Sequence, residues 1–143
     1  NAGSVDFIDP SLVDDFWKDA AHVQAHFARF GIDNIRHHPH TTQEFVATAA
    51  YHELRDIDIL FVDGYHSHAQ AKFDHTAFAD KLGADASVLF HDSTGNRESR
   101  IYGEDNRYTY SVKQYMDELK ASPGFQAFDF DYDSGVTLVK RVR

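Results

Sequence analysis

The sequence predicts an α/β fold built on a mostly parallel sheet. Apolar, β-branched segments alternate with segments of helical periodicity, and three of the apolar segments end in an aspartate: Asp9, Asp63 and Asp92. Strands that alternate with helices form parallel sheets with right-handed crossovers. Ligands of such sheets bind beyond the carboxyl ends of the strands. We therefore expect one α/β domain over residues 1–143, with helices on both faces of the sheet and a functional edge at the three aspartates.

The elements follow from hydrophobic spacing and from turn residues. The apolar run IDILFV (Ile57–Val62) is typical of a parallel strand buried on both faces. Ser11 is a candidate N-cap for the first helix, which ends at Gly31. Four strands are predicted over residues 4–9, 32–38, 57–62 and 87–90, and four helices over 12–30, 41–51, 69–82 and 111–121.

The last part of the chain has two further signals. Residues 93–110 show no periodicity and predict a long loop, of the kind that often covers active sites. Residues 125–132 alternate, with Phe128, Phe130 and Tyr132 on one face, and a turn joins them to residues 136–142. This pattern predicts a terminal antiparallel hairpin.

Composition limits the function classes. The chain has 143 residues, of which 42% are hydrophobic, and its 23 acidic against 14 basic residues give a net charge of −9. Nucleic-acid backbones need clustered cations, so they are not the expected partner. The absence of cysteine excludes disulfides, thiolate metal sites and a cysteine nucleophile. Without a long apolar run or a signal peptide, the sequence predicts no membrane partner. We expect a cytoplasmic domain with a small-molecule substrate, and leave homo-oligomer formation open.

Asp63 and Asp92 are the strongest candidates for a metal site. Each follows an apolar strand, and carboxylates at neighbouring strand ends repel unless a cation lies between them. Oxygen ligands suit Mg²⁺ or Ca²⁺, whereas the adjacent His91 as a ligand would favour Mn²⁺, Fe²⁺ or Zn²⁺. The alternative is ordinary turn and cap chemistry at Asp63-Gly64 and Asp92-Ser93.

Histidine is abundant, with ten residues in the chain. His66 lies three residues after Asp63, and imidazole is the usual general base near neutral pH. The alternative for His66 is a solvent-exposed residue in the first turn of a helix. Three of the remaining histidines are interpreted as solvated or packing residues, His37, His38 and His40. Four others are interpreted as surface residues: His22, His26, His68 and His75.

Several segments together resemble the class I S-adenosylmethionine-dependent methyltransferases, especially the metal-dependent O-methyltransferases of the catechol and macrolide-sugar types. The resemblance rests on DILFVDGYH (residues 58–66), SVLFHDS (residues 87–93) and the terminal hairpin. The family's first strand and glycine-rich turn would precede Asn1. The resemblance therefore implies that this sequence is the C-terminal part of a longer protein, or that another chain fills the gap.

The resemblance also implies roles for individual residues. Asp9 would bind the ribose hydroxyls of S-adenosylmethionine with Pro10 beside the adenosine, Asp63 would lie at the cofactor, and His66 would act as the base. Asp63, His91 and Asp92 would hold Mg²⁺, although His91 stands where the sugar enzymes have Glu and Ser93 where the catechol enzymes have Asn. Near the adenine would lie Thr42, Gln43 and Tyr65.

Each of these assignments has a structural alternative. Asp9 can be a helix-terminal acid, and Tyr65 can simply pack at the rim. Capping by Thr41 or Thr42 explains the Thr42-Gln43 segment better than an adenine contact does. In the 93–110 loop, three arginines can bind an acidic substrate or pair with nearby acids: Arg97, Arg100 and Arg107, against Glu98, Glu104 and Asp105.

Three functions are therefore considered. The first is divalent-metal-assisted transfer of a methyl group from S-adenosylmethionine to a hydroxyl of a small molecule. The second is a degenerate Rossmann-like binding or assembly module without catalytic activity, which the absent glycine-rich turn favours. The third is a metal-dependent hydrolase or phosphatase, for which neither a phosphate loop nor a nucleophile motif is present.

Overall fold

The computed structural model describes residues 3–13, 15–100 and 103–142 and confirms the α/β class. The chain forms two compact units, residues 1–53 and 54–143. The single domain predicted over residues 1–143 stays a prediction. Within the described residues, no helix is long and apolar enough to cross a membrane.

The first unit contains a two-stranded parallel sheet in which Phe7 lies opposite His37. A 3-10 helix at Asp15–Lys18 precedes its longest helix. The remaining elements of this unit are β1 (Val5–Ile8), α1 (Ala20–Ala28), β2 (Ile35–His38), α2 (Thr42–Phe45) and α3 (Ala49–Glu53).

The predicted N-cap is wrong for the first helix of this unit, α1, and is confirmed for the second, α2. Ser11 is not an N-cap: it has φ 52°, and α1 begins after Asp19, whose side chain accepts from the amides of Ala21 and His22. Thr41 does cap α2, in a capping box with Glu44. The predicted 41–51 helix is divided into α2 and α3.

The second unit is a four-stranded sheet in the order β3-β4-β8-β7. β3 and β4 are parallel, whereas β8 is antiparallel to both β4 and β7, as the sequence predicts for the terminal hairpin. Its elements are β3 (Ile57–Val62), α4 (His68–Ala77), β4 (Leu82–His91), β5 (Glu98–Ser99), β6 (Tyr108–Thr109), α5 (Val112–Ala121), β7 (Phe125–Phe130) and β8 (Val136–Arg141).

The core of the second unit forms where α4 and α5 pack on one face of this sheet. Met116 of α5 and Phe90 of β4 are fully buried at its centre. Burial of such side chains stabilises the fold by about 1.5–3 kcal/mol each. The cluster is completed by Val62, Ala71, Val88, Val112, Tyr115, Leu119 and Val139.

Three details of this unit correct the sequence prediction. β3 is not buried on both faces: Ile59 is 64% and Phe61 54% exposed, because alternate residues of the strand point away from α4 and α5. Leu82 begins β4 and does not end the preceding helix. The 93–110 segment contains the short antiparallel pair β5–β6 and a 3-10 helix, so it is more ordered than a plain loop.

Candidate functional site

The candidate site lies at the carboxyl ends of β3 and β4. Val62 and Phe90 are partners in the parallel ladder, so the residues that follow them in the chain emerge side by side. These residues are Asp63, His91 and Asp92. His66 lies in the segment between β3 and α4, whose first turn is capped by the Ser67 side chain. The sequence prediction that the ends of these two strands meet is confirmed.

Short contacts connect the four side chains. Nδ1 of His91 lies 2.9 Å from Oδ1 of Asp63, and Nε2 of His66 lies 3.3 Å from the same oxygen. Nδ1 of His66 lies 2.6 Å from Oδ2 of Asp92. Ligand atoms of Asp63, His66 and His91 all fall within 4.8 Å of one another. Among the described residues, this is the one group of three or more such side chains with the spacing of a metal site.

Asp92 has a strained backbone. Its φ is 50°, a conformation that residues other than glycine adopt rarely, and the residue is only 4% exposed. Strain of this kind costs roughly 1–3 kcal/mol and persists where the surrounding structure enforces it, often at functional sites. Ser93, next in the chain, is fully buried with its Oγ 2.8 Å from Oγ1 of Thr137. The Ser93 hydroxyl therefore belongs to the core and does not take the place of an asparagine ligand.

The electrostatic environment of His66 favours its protonated form. Burial alone lowers the pKa of this imidazole, but the close carboxylate of Asp63 and the charges of Asp92 and Asp63 outweigh burial and raise the pKa above its ordinary value. The pKa is therefore higher than that of a solvent-exposed histidine. A histidine with a raised pKa holds an abstracted proton more strongly.

The donor atoms of the group fit a cation or a polar ligand. The buried Nδ1 atoms of His66 and His91 make no well-aligned hydrogen bond, although carboxylate oxygens lie close to both. Buried polar atoms are normally satisfied by a partner. One carboxylate and two imidazoles, as in Asp63, His66 and His91, are also a usual donor set for a divalent cation.

Aromatic side chains from the 93–110 segment pack against this group. Tyr108 stacks on Tyr65 with a centroid separation of 4.6 Å, and the Tyr110 ring lies 4.4 Å from the His66 ring. The Ser111 amide donates to the His66 carbonyl oxygen at 2.9 Å. Tyr65 thus packs against Tyr108, in agreement with the structural alternative for this residue. Binding of an adenine on Tyr65 stays a prediction.

Sequence reasoning missed Tyr108 and Tyr110. Only their alternation in the segment RYTY (residues 107–110) hints at a short strand with both rings on one side. The pairing of Ser99 with Tyr108 then orders this strand. The arginines of the same segment pair with acids: Arg100 lies 3.0 Å from Glu104, and Arg107 contacts both Glu98 and Glu104.

The predicted nucleoside residues lie in the first unit, after β1 and at α2. Oδ1 of Asp9 accepts from the Ser11 amide at 2.7 Å, which occupies one of its two oxygens. The Ser11 hydroxyl is buried without a partner. Thr42 and Gln43 form the first turn of α2 after the Thr41 cap, as the capping alternative predicts. The roles of Asp9, Pro10, Thr42 and Gln43 at a cofactor stay predictions.

The other histidines do not gather into a second metal group within the described residues. His38 contacts Asp6 at 2.8 Å, and His37 lies beside Phe7 with 5.0 Å between ring centroids. His22 packs edge-on against Phe16. His22 is exposed, as predicted. The surface prediction for His75 is wrong: the residue is 4% exposed, because its ring packs against Phe90 and Tyr115 in the core.

Comparison with known proteins gives one family match. Residues 1–93 match a family model described as a methyltransferase domain. The comparison with curated proteins gives no match.

Solved structures share the fold at low sequence identity. A methyltransferase from Geobacter sulfurreducens has a TM-score of 0.63 at 19% identity, covering 96% of this chain and 58% of that one. A protein from Corynebacterium glutamicum has a TM-score of 0.64 at 14% identity, covering 98% and 61%. The SAH-bound methyltransferase PaMTH1 from Podospora anserina has a TM-score of 0.58 at 13% identity, covering 96% and 59%. The chain thus spans about three fifths of the length of these structures.

Proposed function

Because this chain belongs to the methyltransferase-domain family, whose model matches residues 1–93, we propose that it transfers a methyl group from S-adenosylmethionine to a hydroxyl of a small molecule, assisted by a divalent cation. Two facts support the methyl donor: the family itself, and a structural neighbour, PaMTH1, that is described as SAH-bound. S-adenosylmethionine supplies a methyl group on a sulfonium, so the protein needs mainly to position the acceptor and to remove one proton.

The observation that carries the proposal is the convergence of Asp63, His66, His91 and Asp92 at the ends of β3 and β4. Hydroxyl methylation needs a base within reach of the acceptor and a group that lowers the acceptor's pKa. This edge of the sheet offers both an imidazole and a carboxylate set. It is also the edge at which open α/β sheets bind ligands.

His66 is the proposed base. The charge of the Asp92 carboxylate, whose Oδ2 lies 2.6 Å from Nδ1, favours a proton on that nitrogen. Nε2 faces Oδ1 of Asp63 at 3.3 Å, so it would receive the acceptor's proton once Asp63 binds the cation. The Tyr110 ring beside the imidazole restricts its movement. As the acceptor oxygen forms its bond to the methyl carbon and the sulfur–carbon bond breaks, Nε2 holds the proton.

Asp63, His91 and Asp92 are the proposed holders of the divalent cation. The Nδ1 atom of His91 lies 2.9 Å from Oδ1 of Asp63 and 3.7 Å from Oδ2 of Asp92, and it has no aligned hydrogen-bond partner. The group with the spacing of a metal site contains His66 in place of Asp92. A cation here would lower the pKa of an acceptor hydroxyl. Asp63 and Asp92 suit Mg²⁺, and the imidazole of His91 would allow Mn²⁺ as well.

Asp9 is the proposed anchor for the ribose, with Pro10 beside the adenosine and Thr42 and Gln43 near the adenine. One oxygen of Asp9 is engaged by the Ser11 amide, and the other remains for a hydroxyl donor. The unpartnered Ser11 hydroxyl next to it is a second group that a bound ligand would satisfy.

Calorimetric titration with S-adenosylhomocysteine, with and without Mg²⁺, tests the proposal. We expect saturable binding that Asp9→Asn weakens and that Asp33→Asn, on the exposed Asp33, leaves unchanged. Lack of binding to the wild-type chain would contradict the proposal and favour the non-catalytic module.

Methyl transfer to catechol and to methyl α-L-rhamnoside tests the chemistry. We expect His66→Gln to lower the rate by about 10²–10⁴-fold, the usual contribution of a general base. His68→Gln is the matched control, since His68 is bound to Glu118 on the helix surface. A His66→Gln protein with the wild-type rate would exclude His66 as the base.

A further inference from the structure

A cavity of about 280 Å³ lies at the opposite end of the four-stranded sheet from the candidate site. It is bordered by the start of β4, the start of β7 and the end of β8, all within residues 54–143. Small residues of β4, Gly83, Ala84 and Ala86, leave the space open. The apolar part of its wall consists of Leu82, Val88, Phe125 and Val139.

Two polar side chains complete this wall, His75 and Arg141. Arg141 pairs with Phe125 in the β7–β8 ladder, and paired residues point to the same face. Among the residues that the structure describes, Arg141 is exposed and forms no ion pair, and no carboxylate lines the cavity. This is notable in a chain with 23 acidic residues.

His75 is only 4% exposed, and its Nδ1 lies 2.7 Å from the Tyr115 hydroxyl. When Tyr115 donates to Nδ1, the imidazole proton is on Nε2, and the other edge of the ring is a hydrogen-bond donor. Burial, together with the charge of Arg141, lowers the pKa of His75 and keeps the ring neutral. The cavity therefore has one positive charge beside an apolar wall, and in this tautomer it also has one neutral donor.

We propose that this cavity binds a small monocarboxylate with an aromatic or branched aliphatic body. The carboxylate would bind Arg141 and Nε2–H of His75, and the body would lie against Phe125 and Val139. Small-molecule pockets usually measure about 300–1,000 Å³, so a space at the lower limit suits a molecule of the size of benzoate. The cavity shares no residue with the candidate site at the ends of β3 and β4, and its binding of a monocarboxylate does not depend on the proposed methyl transfer.

NMR titration of the chain with benzoate tests the proposal through the ring resonances of the histidines. We expect saturable shifts of the His75 signals, while the His66 and His91 signals stay in place. Benzyl alcohol lacks the charge and acetate lacks the apolar body, so both should bind at least about tenfold more weakly. No saturable His75 shift at about 10 mM benzoate, a concentration sufficient for millimolar binding, overturns the proposal.

Two variants locate the binding. Arg141→Gln should weaken benzoate binding about tenfold or more, because it removes a charge-assisted hydrogen bond. Ala86→Leu should weaken it by filling the cavity. The matched control is Lys113→Gln, since Lys113 pairs with Asp117 on α5 and its side chain is 40% exposed. This variant should bind benzoate as the wild type does. Equal binding by Arg141→Gln, or equal affinity for benzyl alcohol, overturns the proposed recognition.

Discussion

The Nδ1 atom of His66 lies 2.6 Å from Oδ2 of Asp92, and Asp92 is held there in a strained backbone conformation with almost no exposure. The pair connects the segment before α4 to the end of β4. A buried carboxylate beside an imidazole stabilises the charged form of the ring. Several properties of the site should therefore depend on Asp92.

Asp92→Asn should lower the pKa of His66, because the amide keeps the shape of the side chain and removes its charge. The measurement is an NMR titration of the His66 Cε1–H signal in buffer with EDTA. Asp58→Asn is the control, since Asp58 is an exposed residue of β3. If the His66 pKa were the same in wild type and Asp92→Asn, the Asp92 charge would not be what favours the imidazolium.

Asp63→Asn should weaken the binding of Mn²⁺ or Mg²⁺ at least about tenfold, since loss of groups that merely support a metal ligand already costs 10–100-fold. Asp63 contacts both His66 and His91, so it is the carboxylate shared by the whole group. Calorimetry with Mn²⁺ measures the effect. Asp80→Asn is the control, because the Asp80 side chain is 73% exposed, and equal affinities for the two variants would argue against a metal at Asp63.

Tyr110→Ala should lower kcat for methyl transfer by about tenfold with little change in KM, because small displacements of a catalytic group are costly. The Tyr110 ring is 9% exposed and packs against His66. Tyr110→Phe keeps the ring and should retain the wild-type rate. A rise in KM alone, with kcat unchanged, would indicate that Tyr110 contacts the acceptor and does not position His66.

The sequence predicts the architecture of the site well, because its signals are local. The apolar runs of β3 and β4 are long enough to identify as strands, and adjacent parallel strands bring Asp63 and Asp92 together without knowledge of any distant contact. The terminal hairpin follows equally from its alternation. These features fix which edge of the sheet carries the chemistry.

Other features depend on distant contacts and were not predictable in this way. Tyr110 reaches His66 only because β5 and β6 pair across the 93–110 segment. Ser11 was a reasonable N-cap by residue type, yet Asp19 competes for the same role eight residues later and caps α1. The exposure of Ile59 and Phe61 depends on which face α4 and α5 cover, and an apolar run does not reveal this.

His75 should make the folded chain sensitive to acid. Burial, with the nearby charge of Arg141, lowers the pKa of His75 below its ordinary value of 6.5. The unfolded chain then binds more protons than the folded chain as pH falls below 6.5, so the free energy of unfolding decreases. Urea unfolding measured at intervals of about one pH unit between pH 8 and pH 5 gives the change in the free energy of unfolding.

His75→Gln is the comparison for this pH dependence. The glutamine amide does not titrate, and its oxygen can still accept from the Tyr115 hydroxyl that contacts His75 in the wild type. The variant should lose less stability on acidification than the wild type does. Equal losses in the two proteins would show that other groups cause the acid sensitivity.

Thr137→Val should destabilise the fold by about 1–3 kcal/mol, the cost of leaving a buried hydroxyl without a partner. Thr137 donates to Asp129 at 2.9 Å, so its oxygen accepts from the Ser93 hydroxyl 2.8 Å away. Ser93 and Thr137 are both fully buried, and water cannot replace the lost partner. The double variant Ser93→Ala/Thr137→Val removes the orphaned hydroxyl and should regain part of the stability in urea unfolding. If the double variant were less stable than Thr137→Val, the Ser93 hydroxyl would have a second hydrogen-bond partner. In that case deleting the hydroxyl would destabilise the fold more than leaving it without Thr137 does.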